Sequence, residues 1–196
     1  MKNASTFIRS LYSPGFASIM MWFFGADLTL GFRPWVKVDH RRFDQYDRDR
    51  FISTTINYEK AAALFLSANR IIDGNQIEQM ELLIPCNKQA TLLFEHKPDQ
   101  NGQMRTWLTI EKSGERITFQ FQIFIAKIRV NGKVEDRVIH VGLGAFAKTL
   151  EGYLTAIGAS NHLNKLTEAE LGDPQAGIPA YGQIANRYDT TPMMYR

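Results

Sequence analysis

The residues best able to do chemistry in this sequence are few and scattered. His40, His96, His140 and His162 lie far apart, with no pair at the i, i+4 spacing by which two imidazoles on one helix face hold zinc. Cys86 is the single cysteine, too little for a thiolate cluster or an internal disulfide. Asp39-His40 and Glu95-His96 set a carboxylate beside an imidazole, but neighbouring residues of an extended chain point to opposite faces, so neither pair can relay a proton. No glycine-rich phosphate loop, dinucleotide fingerprint or nucleophile elbow occurs. Gly142-Leu143-Gly144 is too short for such a loop and reads as the tight start of a helix. These observations predict no metal, no cofactor, no catalytic residue and no enzymatic activity; a site assembled from distant carboxylates is the enzymatic reading that stays open.

Cations interleaved with aromatic rings are the stronger signal. Bases of a single strand stack on rings, each stack contributing about 1–3 kcal/mol, while Lys and Arg meet its phosphates. One such set is Arg105 and Trp107 with Phe124, Lys127 and Arg129. A second is the stretch Phe32 to Phe51, where Arg33, Lys37, Arg41, Arg42, Arg48 and Arg50 alternate with Trp35, Phe43 and Tyr46. Asp39, Asp44, Asp47 and Asp49 lie among these cations, so this stretch reads equally as a solvated, self-paired loop.

The first set depends on strand parity. In Arg116 to Val130, Ile117, Phe119, Phe121, Ile123 and Ile125 share one face; Arg116, Thr118, Gln120, Gln122 and Phe124 share the other. After Ala126 the apolar parity changes to Ile128 and Val130, leaving Lys127 and Arg129 together, as a bulge near Ile125 to Lys127 would produce. Across the turn Ser113-Gly114-Glu115, the strand Met104 to Lys112 points Thr106, Leu108 and Ile110 inward and Arg105, Trp107 and Thr109 outward. Met104 to Val130 is therefore expected to form one antiparallel hairpin with an apolar and a polar face. Its outer rings are open to a strand of nucleic acid or covered by a helix, by the C-terminal tail or by another subunit.

The remaining elements frame that hairpin. Phe16 to Phe24 and Leu28 to Val38 read as an opening pair of strands, with Gly31 and Pro34 marking a bulge or an edge. Asp39 to Arg50 reads as a loop or protruding ribbon. Asn57 can cap a helix whose apolar face is Ala61, Leu64, Phe65, Ala68, Ile71 and Ile72, with Gly74 to stop it. Strands follow at Met80 to Ile84 and Ala90 to His96. After the central hairpin, Asn131-Gly132 has tight-turn chemistry and leads to a strand at Val134 to Val141. A second helix is expected from Ala145 to Ile157, stopped by Gly158. The fold class is α+β, a twisted antiparallel sheet with two packed helices, in the order strands, helix, strands, helix.

With 196 residues, 44% hydrophobic and 22% charged, residues 1–161 read as one globular domain and residues 162–196 as a tail or arm. The excess of 23 Lys and Arg over 20 Asp and Glu is only +3, so polyanion binding needs locally concentrated charge. The apolar run Phe16 to Phe24 is too short to span a bilayer, and Pro14-Gly15 and bulky Phe24 spoil it as an export signal. A cytoplasmic chain is expected.

The order of strands and helices, the run Lys60-Ala61-Ala62-Ala63-Leu64 and the outward rings resemble the Whirly class of single-stranded DNA-binding folds. The run departs from that family's Lys-Gly-Lys-Ala-Ala-Leu motif, so no binding residue carries over. The overall plan also resembles phage single-stranded DNA-binding proteins that act as transcription cofactors. That resemblance implies a non-catalytic chain in the host cytoplasm with single-stranded DNA and a phage RNA polymerase as partners. A role in transcription or replication then follows, with Arg105, Trp107, Phe124, Lys127 and Arg129 as the binding face and Arg41, Arg42, Arg48 and Arg50 as an auxiliary surface. The alternative is a structural or assembly protein whose aromatic face and C-terminal arm make homo-oligomer contacts.

Overall fold

Alternating apolar residues lead the chain into two antiparallel sheets, each committing one face to a shared interior. The computed structural model describes residues 6–24, 26–36, 45–47, 49–74, 79–87 and 89–171. It divides into units 1–155 and 156–196.

In the first unit, β1 (Thr6–Ser13), β2 (Ala17–Phe24) and β3 (Asp27–Val36) form a meander, and β3 also pairs with β5 (Ile52–Ile56) and with the short β4 (Gln45–Tyr46). The inward residues Ala17, Ile19, Met21, Leu28, Leu30, Phe32, Ile52 and Ile56 are buried. The expected opening pair is thus β2 and β3, while β1 and β5 are additional strands on either side. Of the expected loop or ribbon, residues 39–44 and 48 lie outside the described residues, as do residues 37 and 38 at the end of the expected second strand.

Helix α1 (Tyr58–Ile72) starts where the Asn57 side chain accepts the Lys60 amide at 3.2 Å, and it buries Ala61, Leu64, Ala68 and Ile71. The second sheet is the meander β6 (Met80–Pro85), β7 (Ala90–Pro98), β8 (Met104–Lys112) and β9 (Glu115–Phe121). Its inward residues Ile84, Leu92, Phe94, Leu108, Ile110, Ile117, Phe119 and Phe121 are buried.

The expected hairpin from Met104 to Val130 is corrected here: it is β8 with β9 alone. The strand breaks at Gln122-Ile123, and β10 (Phe124–Val130) pairs instead with β11 (Lys133–Ile139) in a separate two-stranded ribbon. The cause of the break is a competitor for backbone bonding. The Gly142 amide donates to the Gln122 carbonyl at 3.2 Å, and a Cβ at Gly142 would stand 3.0 Å from the Gln122 nitrogen. Gly142 thus lets the start of helix α2 (Val141–Leu171) close on the strand end. Within the first unit this helix buries Leu143, Phe146, Ala147, Leu150 and Tyr153, and the Tyr153 hydroxyl donates to the Ala26 carbonyl at 2.8 Å.

The helix does not stop at Gly158 as expected. One central glycine costs about 1 kcal/mol, and the sequence from Leu163 to Leu171 is rich in Leu, Lys, Glu and Ala, which favour helix. In the second unit, residues 156–171 continue the helix; residues 172–196 of the expected tail lie outside the described residues.

Phe121 is the hub of the interior, with ring centroids 6.1 Å from Phe94, 5.0 Å from Phe119 and 5.3 Å from Phe146. Truncating it removes contacts among both strands and helix. Phe121→Ala is expected to lower unfolding free energy by about 3–5 kcal/mol, read from urea denaturation.

Two histidines meet where β11 gives way to α2. His96 is buried, its Nδ1 2.9 Å from the Thr106 hydroxyl, and its ring centroid is 6.2 Å from that of half-buried His140. Burial pushes both imidazoles below their ordinary value, and His140 pushes His96 further. The unfolded chain therefore takes up protons first as pH falls. Stability is full above about pH 6.5 and declines below it towards the folded-state values. The urea midpoint should be flat from pH 8 to 7 and drop between about pH 6.5 and 5, a drop reduced in His140→Gln; an unchanged acid slope in that variant would contradict the assignment.

Candidate nucleic-acid interface

The sequence-predicted residues fall on three different surfaces. Arg105 and Trp107 lie on the outer face of the second sheet; Phe124, Lys127 and Arg129 lie on the β10–β11 ribbon; Arg50 is exposed beside β5. Arg41, Arg42 and Arg48 lie outside the described residues. Because of the break at Gln122, Trp107 and Phe124 do not share a sheet. Trp107 is half-buried and Phe124 is 59% exposed.

The outer face of the second sheet is balanced in charge. Trp107 stands between Glu95 and Gln120 on the neighbouring strands. Lys97, whose ammonium is 5.8 Å from the Trp107 ring centre, is ion-paired with Glu95. The Arg105 Nε donates to Asp99 at 3.2 Å, and the Asp99 carboxylate also accepts the Asn101 and Gln103 amides. Binding a phosphate at Arg105 or Lys97 would mean displacing a carboxylate already in place.

The outer face of the first sheet is built differently. Opposite the buried parity of β2 and β3 lie Ser18, Met20 and Trp22, and Thr29, Gly31, Arg33 and Trp35. Phe51 enters β5 across from Arg33, and the Arg33 guanidinium carbon is 5.4 Å from its ring centre. Trp22 stacks on Phe51 with centroids 6.0 Å apart and planes at 21°.

Gly31 makes that stack possible. A Cβ there would fall 2.4 Å from Phe51 Cζ and 2.8 Å from Trp22 Cη2, so the two rings lie directly over the bare backbone. The glycine expected to mark a bulge or an edge is instead a site of close ring approach. Its strand is interior, with β2 on one side and β5 on the other.

A second ring group lies four residues further along β3, roughly 13 Å away at the usual strand rise. Trp35 pairs across the ladder with Tyr46, whose ring centroid is 5.5 Å from that of Tyr12. Tyr12 is 60% exposed. Arg33 Nε and Trp35 Nε1 are both buried donors with no acceptor among the described residues.

Among the described residues this face therefore carries the rings of Tyr12, Trp22, Trp35, Tyr46 and Phe51, with the cation of Arg33 among them. Trp35 and Tyr46 were visible in the sequence as part of a cation and aromatic stretch. Phe51 stands at the end of that stretch; Tyr12 and Trp22 were not connected with it, because they reach the same surface from separate strands and only the register unites them. The alternation Ser18, Met20, Trp22 against Ile19, Met21, Phe23 was the available signal.

Among the described residues, no group of three or more His, Cys, Asp or Glu could hold a metal ion, and no helix is long and apolar enough to cross a membrane. No family model and no curated protein matches the chain. Among solved structures, the chain is similar to the plant transcriptional regulator PBF-2, at 14% identity over 88% of this chain and 91% of that one, with a TM-score of 0.40. A likeness at that level assigns no activity; the side chains must do so.

Proposed function

We propose that the protein is a non-catalytic binder of single-stranded DNA, and that the outer face of the first sheet is where the strand lies. The observation that supports this is the pairing of two ring groups, Trp22 with Phe51 and Tyr12 with Trp35 and Tyr46, on one face around Arg33. Their separation suits two bases of one extended strand that are not immediate neighbours, rather than one small ligand. Rings accept any base, so such binding has little sequence preference. Arg33 Nε and Trp35 Nε1 would donate to phosphate or base oxygens, which supplies the acceptors they lack. In this reading Arg105 and Trp107 contribute less than the sequence alone implied, since Arg105 is held by Asp99. A transcription or replication role, with a phage RNA polymerase as second partner, extends the proposal on the strength of the phage resemblance and would use another surface.

The test is a fluorescence titration with a dT oligonucleotide across a salt series. Trp35→Ala should weaken binding about 10- to 100-fold, the scale of one or two lost stacks, with an unchanged circular dichroism spectrum. Trp107→Ala should change it by less than about threefold if that ring is outside the path. Equal losses in both variants, or no tryptophan quenching at low salt, would refute the assignment. Gly31→Ala is the sharper probe: its methyl displaces ring tips rather than backbone, so the chain should fold normally and lose affinity.

A further inference from the structure

Among the described residues, the β10–β11 ribbon belongs to no larger sheet, and both its long edges run unpaired. It also carries Phe124, Ile125, Val130, Val134, Val138 and Ile139, each 42–59% exposed. A two-stranded ribbon with no covered face is marginal in water, and an open edge bearing apolar side chains is a template for another strand.

The turn decides which backbone groups the edge offers. Asn131 and Gly132 both have positive φ, 50° and 82°, as a two-residue type I′ turn requires. Val130 and Lys133, which flank it, are then a hydrogen-bonded pair, and the pattern alternates along the ladder. The N–H and C=O groups of Val134, Asp136 and Val138 consequently point away from β10, towards the free edge.

We propose that this edge pairs antiparallel with β11 of a second copy of the chain, about a two-fold axis through Asp136, joining two ribbons into a four-stranded sheet. The side chains select that register. It sets Val134 opposite Val138 of the second copy, and Glu135 opposite Arg137, each combination occurring twice by symmetry, over the full length of the strand. Sliding by two residues one way sets Lys133 against Arg137; sliding the other way sets Arg137 against itself. Odd shifts leave outward backbone groups facing inward ones. The one like-charge contact is Asp136 with Asp136, and each of these carboxylates has Lys127 across its own ribbon. That contact weakens the dimer without shifting its register.

Sedimentation velocity over a concentration series and oxidative crosslinking test the proposal on the full chain. Glu135→Arg and Arg137→Glu should each raise the dimer dissociation constant about tenfold or more, and the double variant, which restores opposite charges, should recover it. Asp136→Asn should tighten it. In a Cys86→Ser background, Asp136→Cys should form a disulfide-linked dimer on oxidation, whereas Lys133→Cys and the exposed Glu59→Cys should not. A double variant as weak as the singles, or crosslinking no greater at 136 than at 59, overturns the proposal. Occupation of the edge by the chain's own residues 172–196 would do so too, and it would show as a gain in self-association when they are removed.

Discussion

The burial of Phe121 is the contact on which the arrangement of the second sheet and helix α2 depends. Its ring touches Phe94 on β7, Phe119 on β9 and Phe146 on α2, so the end of the central meander is committed to the interior from three directions. A strand has period two, and once one residue is inside, the facing of every other residue is set. Thr106, Leu108 and Ile110 go in with it, and Arg105 and Trp107 go out. Immediately beyond Phe121 the Gln122 carbonyl is taken by Gly142, and the ladder cannot continue. Phe121 therefore closes the second sheet, and the ribbon that follows starts with an independent facing.

The two outer faces, each left over when the core has been filled, are not equivalent. On the second sheet Glu95 and Asp99 satisfy Lys97 and Arg105, which leaves a surface already neutral. On the first sheet the neighbours of Arg33 are rings, and the guanidinium lies over Phe51 rather than beside a carboxylate. Cation and ring together attract an anion with a flat base attached, whereas a satisfied ion pair attracts neither. The bare backbone of Gly31 completes this difference, because any side chain there would separate Trp22 from Phe51.

Much of the framework was legible in the sequence because its signals are local. The Asn57 cap, the apolar face of α1, the strands from Met80 to Phe121 and the Asn131-Gly132 turn each depend on residues within one element. What escaped was decided between elements. Strand β1 mixes Arg9 and Ser10 with its apolar residues and leads into Pro14-Gly15, and β5 lies directly after a charged stretch, so neither is distinctive alone. The break at Gln122 originates twenty residues away at Gly142. The ring face is assembled from Tyr12, Trp22, Trp35, Tyr46 and Phe51, whose common orientation follows from strand register that no single segment encodes. Helix α2 runs past Gly158, which has the chemistry of a stop, because the good helix formers beyond it outweigh one glycine.

Two buried donors on β3 carry a cost that packing does not repay. An unpaired buried polar group costs about 1–3 kcal/mol, and Arg33 Nε and Trp35 Nε1 both lie on the same strand. Nothing in the core requires either donor: the other residues of the same parity on β3 are Asp27, Thr29 and Gly31, and the interior is filled by Leu28, Leu30 and Phe32 from the other face. An apolar side chain at 33 or 35 would avoid the cost and leave the packing beneath unchanged. Local rules broken without a gain in packing mark sites where something other than the fold sets the residue.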